Sequence, residues 1–371
     1  MSALTYFVPD LALIKVAMDV PELVRSSIEF QLGHFAVADQ NRLPGWMPLI
    51  TVEPYRRLTG GNGEMVFHAL RAERCRLLHS PDGRHATRRT ADGFAIYSDT
   101  PDVLIVLLLQ TLALRQGRTF LHAAGWCDAT GAVTLLPGPG GVGKTALLSA
   151  AVLRHDARLL GDDLVLVGKA GRAQAFPRAF VLKDYHRGLF PEAFEAVRRS
   201  ELQPWRPVIK FLRENAPFHG LLKSFFRKAG RLESASSWLQ MRATRPEYKT
   251  VPVARLFGAD RVAAGGLVAR VVYVERYSGT VFRLSVITRE EVARRSLAVL
   301  HHEWVDYLRW FFALGAVELI DLGAHFRETE SAMLAGFAGA PLHLLQVPEG
   351  ASPEELEQAF ATHLGFASVR A

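Results

Sequence analysis

The stretch "AVTLLPGPGGVGKTALLSAAVL", residues 132–153, constrains this chain more than any other. An apolar run of strand character is followed by Gly138-Pro139-Gly140-Gly141-Val142-Gly143-Lys144-Thr145, and then by apolar residues at helical spacing. The central octet matches G-x-x-x-x-G-K-[ST] in full, in the strand–loop–helix context that this pattern requires. Glycines let successive backbone N–H groups turn inward, where a Cβ would obstruct them, and the start of the helix adds the positive end of its dipole. The expected binding set is therefore Gly138, Gly140, Gly141, Val142, Gly143, Lys144, Thr145 and Ala146. Lys144 supplies a point charge for the β and γ phosphates, and Thr145 a hydroxyl for Mg²⁺. ATP and Mg²⁺ are the expected cofactors.

A pair of carboxylates arrives early. One helix and the short strand "ARLL" separate the loop from Gly161-Asp162-Asp163. A strand parallel to "AVTLL" delivers these acids to the edge where the phosphates lie. Two adjacent acids divide the work, one on the metal and one accepting a proton from a hydroxyl nucleophile. Taken alone, "GDD" is a turn signal.

At these residues the sequence resembles a family. "FLHAAG", "GPGGVGKTALL" and "LLGDDLVLV" look like the catalytic domain of HPr kinase/phosphorylase and its HPr-kinase-like relatives, which include kinases found beside lasso-peptide maturation genes. The resemblance covers residues 118–183, and more loosely 245–300. It implies an α/β fold: a P-loop kinase core of HPr-kinase/PEP-carboxykinase-like type with a mixed sheet. It also implies roles. His122 matches the family's active-site histidine, Asp162 the acid acting as base, Asp163 the metal-side acid beside Thr145 with Asp162 also in the expected metal set, and Lys144 and Thr145 the end of the loop. His122 is followed by alanine where the family has glycine, and the family's downstream glycine-rich signature is absent. Phosphorylase activity and HPr as acceptor therefore do not carry over.

Around this core the chain divides into a small N-terminal α+β lobe over residues 1–100 and a catalytic domain over 101–371, with a helical basic insert at about 185–250. "YFVPDLALIKVAMDV" reads as strands broken at Pro9-Asp10, "PELVRSSIEFQL" as a short helix, and 78–98 as a hairpin about Pro81-Asp82-Gly83. "DVLIVLLLQTLALRQG" has helical length and stops at Gly117. Strands return in 266–288, an amphipathic helix or helix pair in 289–316, and a final strand precedes a helix capped by Ser352, Pro353 and Glu355.

Of the 371 residues, 49% are hydrophobic and 22% charged, an ordinary globular balance. No apolar run reaches the roughly 20 residues that span a bilayer, and "MSALTYFVPDLALIK" has no signal-peptide pattern. A cytoplasmic protein with no membrane partner is expected. Cys75 and Cys127 lack metal-ligand spacing and are read as buried free thiols, with a single disulfide left open. The net charge of +7 favours an anionic partner.

Several residues have a second, plainer reading. His122 lies on an apolar strand, as core histidines do. Arg178 and Lys183 are candidates for stabilising charge on a transferring phosphoryl group, or surface cations flanking a strand. Arg270 and Arg276 are open in the same way. The segment 205–245 interleaves aromatics such as Trp205 and Phe225 with cations such as Arg206 and Lys223, suiting an acceptor-binding surface or an amphipathic helix. His301-His302-Glu303 lacks zinc spacing.

The expected activity is transfer of the γ-phosphoryl group of ATP to a serine or threonine hydroxyl of a peptide or small protein, which an acidic acceptor would suit. A hydroxylated small molecule is the second acceptor class. The rivals of another class are an ATP-hydrolysing switch and a nucleotide-dependent nucleic-acid-binding module, nucleic acid not being the expected partner. A homo-oligomer is left open.

Overall fold

The computed structural model describes residues 3–38, 44, 46–58, 77–79, 84–100, 104–182, 186–193 and 249–366. Most of the basic insert, the hairpin turn at 81–83, Cys75 and Lys183 lie outside the described residues. The protein is a mixed α/β molecule divided into two compact units, one formed by 1–179 with 252–371 and the other by 180–251.

The first unit begins with strands β1 (Ala3–Val8) and β2 (Ala12–Ala17), then helix α1 (Glu22–Leu32). The chain reverses at Pro9-Asp10, where Asp10 takes φ 54°. Val24, Ile28, Gln31 and Leu32 put one stripe of α1 in the core, the spacing of a helix with one dry face. Strands β3 (Leu49–Glu53), β4 (Leu77–His79), β5 (His85–Arg89) and β6 (Gly93–Ser98) complete a six-stranded sheet in the order β1-β2-β3-β6-β5-β4. The expected hairpin is the antiparallel pair β4–β5.

Helix α2 (Ile105–Arg115) follows and is buried on nearly every face. Its one buried amide, Gln110, is satisfied: Nε2 donates to Thr119 Oγ1 at 2.8 Å and Oε1 accepts from Phe120 N at 2.8 Å. Gly117, at φ 68°, ends the helix.

The second sheet has nine strands. Those before the insert are β7 (Arg118–Leu121), β8 (Ala123–Cys127), β9 (Ala132–Pro137), β10 (Arg158–Gly161), β11 (Val165–Gly168) and β12 (Arg172–Gln174), with helix α3 (Lys144–Arg154) between β9 and β10. All of β8 and β9 is buried, as strands covered on both faces are. Cys127, on β8, is a buried free thiol.

In the second unit β13 (Phe180–Leu182) pairs antiparallel with β14 (Lys249–Val251). The first unit resumes at Pro252 with short helical turns at Val253–Phe257 and Ala259–Arg261, followed by β15 (Gly265–Tyr277), β16 (Arg283–Val286), α4 (Arg289–Glu303), α5 (Val305–Ala316), α6 (Leu322–Gly336), β17 (Leu342–Pro348) and α7 (Pro353–His363). The capping box on α7 is formed as expected. Helix α6 is the element that sequence reading did not single out. Asp321 caps it, and Gly336 brings it so close to β11 that an added Cβ would lie 2.9 Å from Val167 Cβ.

The strand path is β10-β8-β9-β15-β12-β11-β7, with β17 and then β16 branching from β15. β10 runs in the same direction as β9, as expected, but with β8 between them. β7 and β8 are consecutive in sequence yet stand far apart along the path, and so do β10 and β11. The two arms 118–127 and 158–168 therefore form one antiparallel ladder with a gap. Leu121 pairs with Val165 and Gly125 with Gly161, and no ladder pair joins the arms between them. His122 stands in that gap on one arm, and Asp162 and Asp163 on the other. No helix among the described residues is long and apolar enough to cross a membrane.

Candidate phosphate-binding site

The loop between β9 and α3 is shaped by glycines at three positive φ angles, 154° at Gly138, 78° at Gly141 and 102° at Gly143. At Gly138 space also decides, because an added Cβ would lie 2.2 Å from the carbonyl oxygen of Val274 on β15. At Gly141 nothing lies within 4 Å of such a Cβ, so conformation alone selects glycine. Val142 is 3% exposed and anchors the loop from beneath. Gly140 lies on the open side and Ala146 in the first helical turn. Lys144 is 6% exposed and folds back over the near arm of the loop. Its Nζ donates to Gly138 O at 2.7 Å and to Pro139 O at 2.6 Å.

The gap in the ladder brings the acids to this loop. The chain turns tightly after β10: a Cβ on Gly161 would sit 2.2 Å from Leu164 O. Thr145 Oγ1 donates to Asp162 Oδ2 at 3.0 Å. Asp163 faces another way, with Oδ1 3.3 Å from His122 Nδ1 and Oδ2 accepting from Arg178 Nη1 at 2.6 Å. Both acids were expected about the metal with Thr145, and the one in contact with Thr145 is Asp162. Asp162 and Asp163 lie in the bend that follows β10, and of the two Asp162 is the one turned to the helix start.

His122 is 7% exposed, and its Nε2 lies 3.4 Å from Lys144 Nζ. Burial, and then the Lys144 ammonium, hold its pKa below the usual histidine value. With the ring neutral, one tautomer suits both neighbours: Nε2 accepts from Lys144 at 3.4 Å while Nδ1 stands 3.3 Å from Asp163 Oδ1. A continuous polar chain runs from the loop carbonyls through Lys144, His122 and Asp163 to Arg178. The Arg178 guanidinium lies over the Phe30 ring of α1 at 5.2 Å, so the N-terminal sheet's helix buttresses its far end.

The geometry thus gathers Lys144, Thr145, Asp162, Asp163, His122 and Arg178. Two other candidates have structural duties. Arg270, 6% exposed, donates to Leu364 O and to Thr134 Oγ1. Arg276 donates to the carbonyls of Pro348, Glu349 and Ala351, fastening the turn that leads into α7. One residue near the loop was not foreseen. Glu303, the last residue of α4, places Oε1 3.3 Å from where a Cβ on Gly140 would lie. Its sequence neighbourhood gave no motif to find it by.

The residues present fit a magnesium-bound nucleoside triphosphate. The hydroxyl of Thr145 and the carboxylate of Asp162 are hard oxygen donors side by side at the helix start. Exposed glycines leave the loop's backbone approachable, and an ammonium lies against its near arm.

No family model matches the chain, and no curated protein does. The solved structure of the Hpr(Ser) kinase/phosphatase from Coxiella burnetii is similar at a TM-score of 0.27 and 10% identity, over 66% of this chain and 95% of that one. Likeness at that level is distant and carries no residue role or substrate across.

Proposed function

We propose that this protein is an ATP- and Mg²⁺-dependent phosphotransferase that moves the γ-phosphoryl group to a hydroxyl, with serine or threonine of a peptide or small protein as the acceptor class. The carrying observation is the convergence of Thr145 and Asp162 at the start of α3, 17 residues apart in sequence, beside a loop of full phosphate-binding pattern. When bound there, magnesium neutralises charge on the β and γ phosphates. The roles of the chain's own residues follow from position. Loop N–H groups and Lys144 bind and orient the phosphates. Thr145 and Asp162 form the metal-side pair, the reverse of the division that sequence resemblance implied. His122 keeps Lys144 and Asp163 in register without adding charge, and Arg178 adds a cation at the site's edge, where it complements charge that grows on the equatorial oxygens.

A peptide acceptor is favoured over nucleic acid because a phosphoryl-transfer site needs an acceptor surface beside it, and the net charge of +7 suits an anionic acceptor. The test incubates wild type and Asp162→Asn with ATP, Mg²⁺ and a library of serine- and threonine-containing peptides, read by mass spectrometry. The expected result is a gain of one phosphate on a hydroxyl residue with wild type alone. Phosphate released to water with no modified peptide would favour the switch reading, and wild type that binds no nucleotide would end both.

A further inference from the structure

Three carboxylates surround the phosphate loop, and two of them are committed. Asp162 Oδ2 accepts from Thr145, while Asp163 has one oxygen at His122 and the other at Arg178. The Glu303 side chain makes no hydrogen bond and no ion pair with the described residues, and it is exposed. Its position is nonetheless fixed. The next residue, Trp304, is 6% exposed and sets its ring edge-on to Phe120 of β7 at 6.3 Å, two residues before His122. The last turn of α4 is thereby pinned beside the gap in the ladder.

The end of the loop that Glu303 overlooks can be identified. Lys144 Nζ is held by the carbonyls of Gly138 and Pro139, so the lysine that grips the β and γ phosphates marks this arm as the terminal-phosphate end. Glu303 Oε1 stands over the next residue, Gly140. It also lies close enough to contribute to the electrostatic environment of His122.

We infer that Glu303 faces the terminal phosphate and is the group that takes the proton of the acceptor hydroxyl. This rests on the phosphotransferase reading above and assigns one role within it. As the acceptor oxygen forms its bond to the γ-phosphorus, its hydrogen passes to a carboxylate oxygen of Glu303. The bond from the γ-phosphorus to the β–γ bridging oxygen breaks, and ADP departs with that electron pair. The three acids then have separate tasks: metal side for Asp162, anchoring of His122 and Arg178 for Asp163, and proton acceptance for Glu303.

The test uses the full chain and two readouts. In the first, Glu303→Gln and Glu303→Lys are titrated with Mg·ADP and with a non-hydrolysable Mg·ATP analogue. A carboxylate facing the third phosphate repels it, so Glu303→Gln binds the triphosphate about three- to fivefold more tightly, Glu303→Lys more tightly still, and both bind ADP as wild type does. A purely structural role for Glu303 gives no such charge order and no such selectivity for the third phosphate. In the second, phosphate release from ATP to water slows about a hundredfold in Glu303→Gln, and Glu303→Asp recovers part of the rate. An unchanged ATP-to-ADP affinity ratio, or phosphate release at the wild-type rate in Glu303→Gln, overturns the inference. Wild type that binds neither nucleotide overturns the phosphotransferase reading, and the inference with it.

Discussion

Thr145 Oγ1 lies 3.0 Å from Asp162 Oδ2, so the first residue after the loop lysine is joined to the first acid of the pair. Each is the other's neighbour and both carry hard oxygen donors, so on the proposed function the contact would serve as a two-donor cradle for Mg²⁺. Thr145→Ala or Asp162→Asn should lower affinity for Mg·ATP about 10- to 100-fold, the cost of losing an oriented metal partner. Affinity for metal-free ATP should stay within about twofold. Calorimetry with Mg²⁺ and then with EDTA separates the two; an equal loss in both would mean the pair serves the fold and not the ion.

His122 gives the site a pH dependence of known sign. Its pKa is depressed by burial and by Lys144, so the neutral ring persists below the usual histidine value. Protonation would put a second cation against Lys144 and remove the acceptor at Nε2. Turnover should therefore be level at and above about pH 6.5 and fall only as the pH drops below it. His122→Asn should erase this acid limb while lowering the rate at every pH. A limb that survives the substitution assigns the titration to another group.

Gly138→Ala tests the loop's backbone. The added Cβ meets Val274 O at 2.2 Å, and φ of 154° is hostile to an L-residue, so the loop must shift off β15. Thermal unfolding should come earlier, by about 1–3 kcal/mol of stability, and nucleotide binding should fall with it. Gly141→Ala has the strained φ but open space and should cost less.

His325 governs stability and not chemistry. It is 4% exposed, packed against the Phe311 ring at 4.3 Å, and burial with nearby His301 pushes its pKa down to about 4. The folded state binds fewer protons than the unfolded chain between that value and the ordinary histidine value. The stability held above about pH 6.5 is thus lost progressively as the pH falls toward 4, by on the order of 3 kcal/mol. His325→Leu should flatten that slope in denaturant titrations run at several pH values.

Much of the site was legible because its motif is local. The loop, the helix it opens and the capping box of α7 each depend on residues within a few positions of one another. Which of Asp162 and Asp163 contacts Thr145 was not legible, because it depends on how the bend after β10 turns the two side chains. Glu303 was hidden for a different reason: its nearness to Gly140 comes from Trp304 docking on Phe120, a contact across more than 180 positions that leaves no local pattern. Arg276 shows the converse. In sequence it is a cation on a strand of the catalytic core; in space, three carbonyls claim it.

The interrupted ladder carries a consequence for how this protein tolerates change. Side chains along a strand alternate between faces, so a single insertion in 118–121 or in 165–168 slips one arm against the other and turns its whole upstream set inside out. Only matched length changes on both arms would keep His122 level with Asp163. Natural variants of this core should therefore accept new residues in the turn at 128–131 or at the ends of the helices, and hold the spacing from 118 to 127 and from 158 to 168 rigidly fixed.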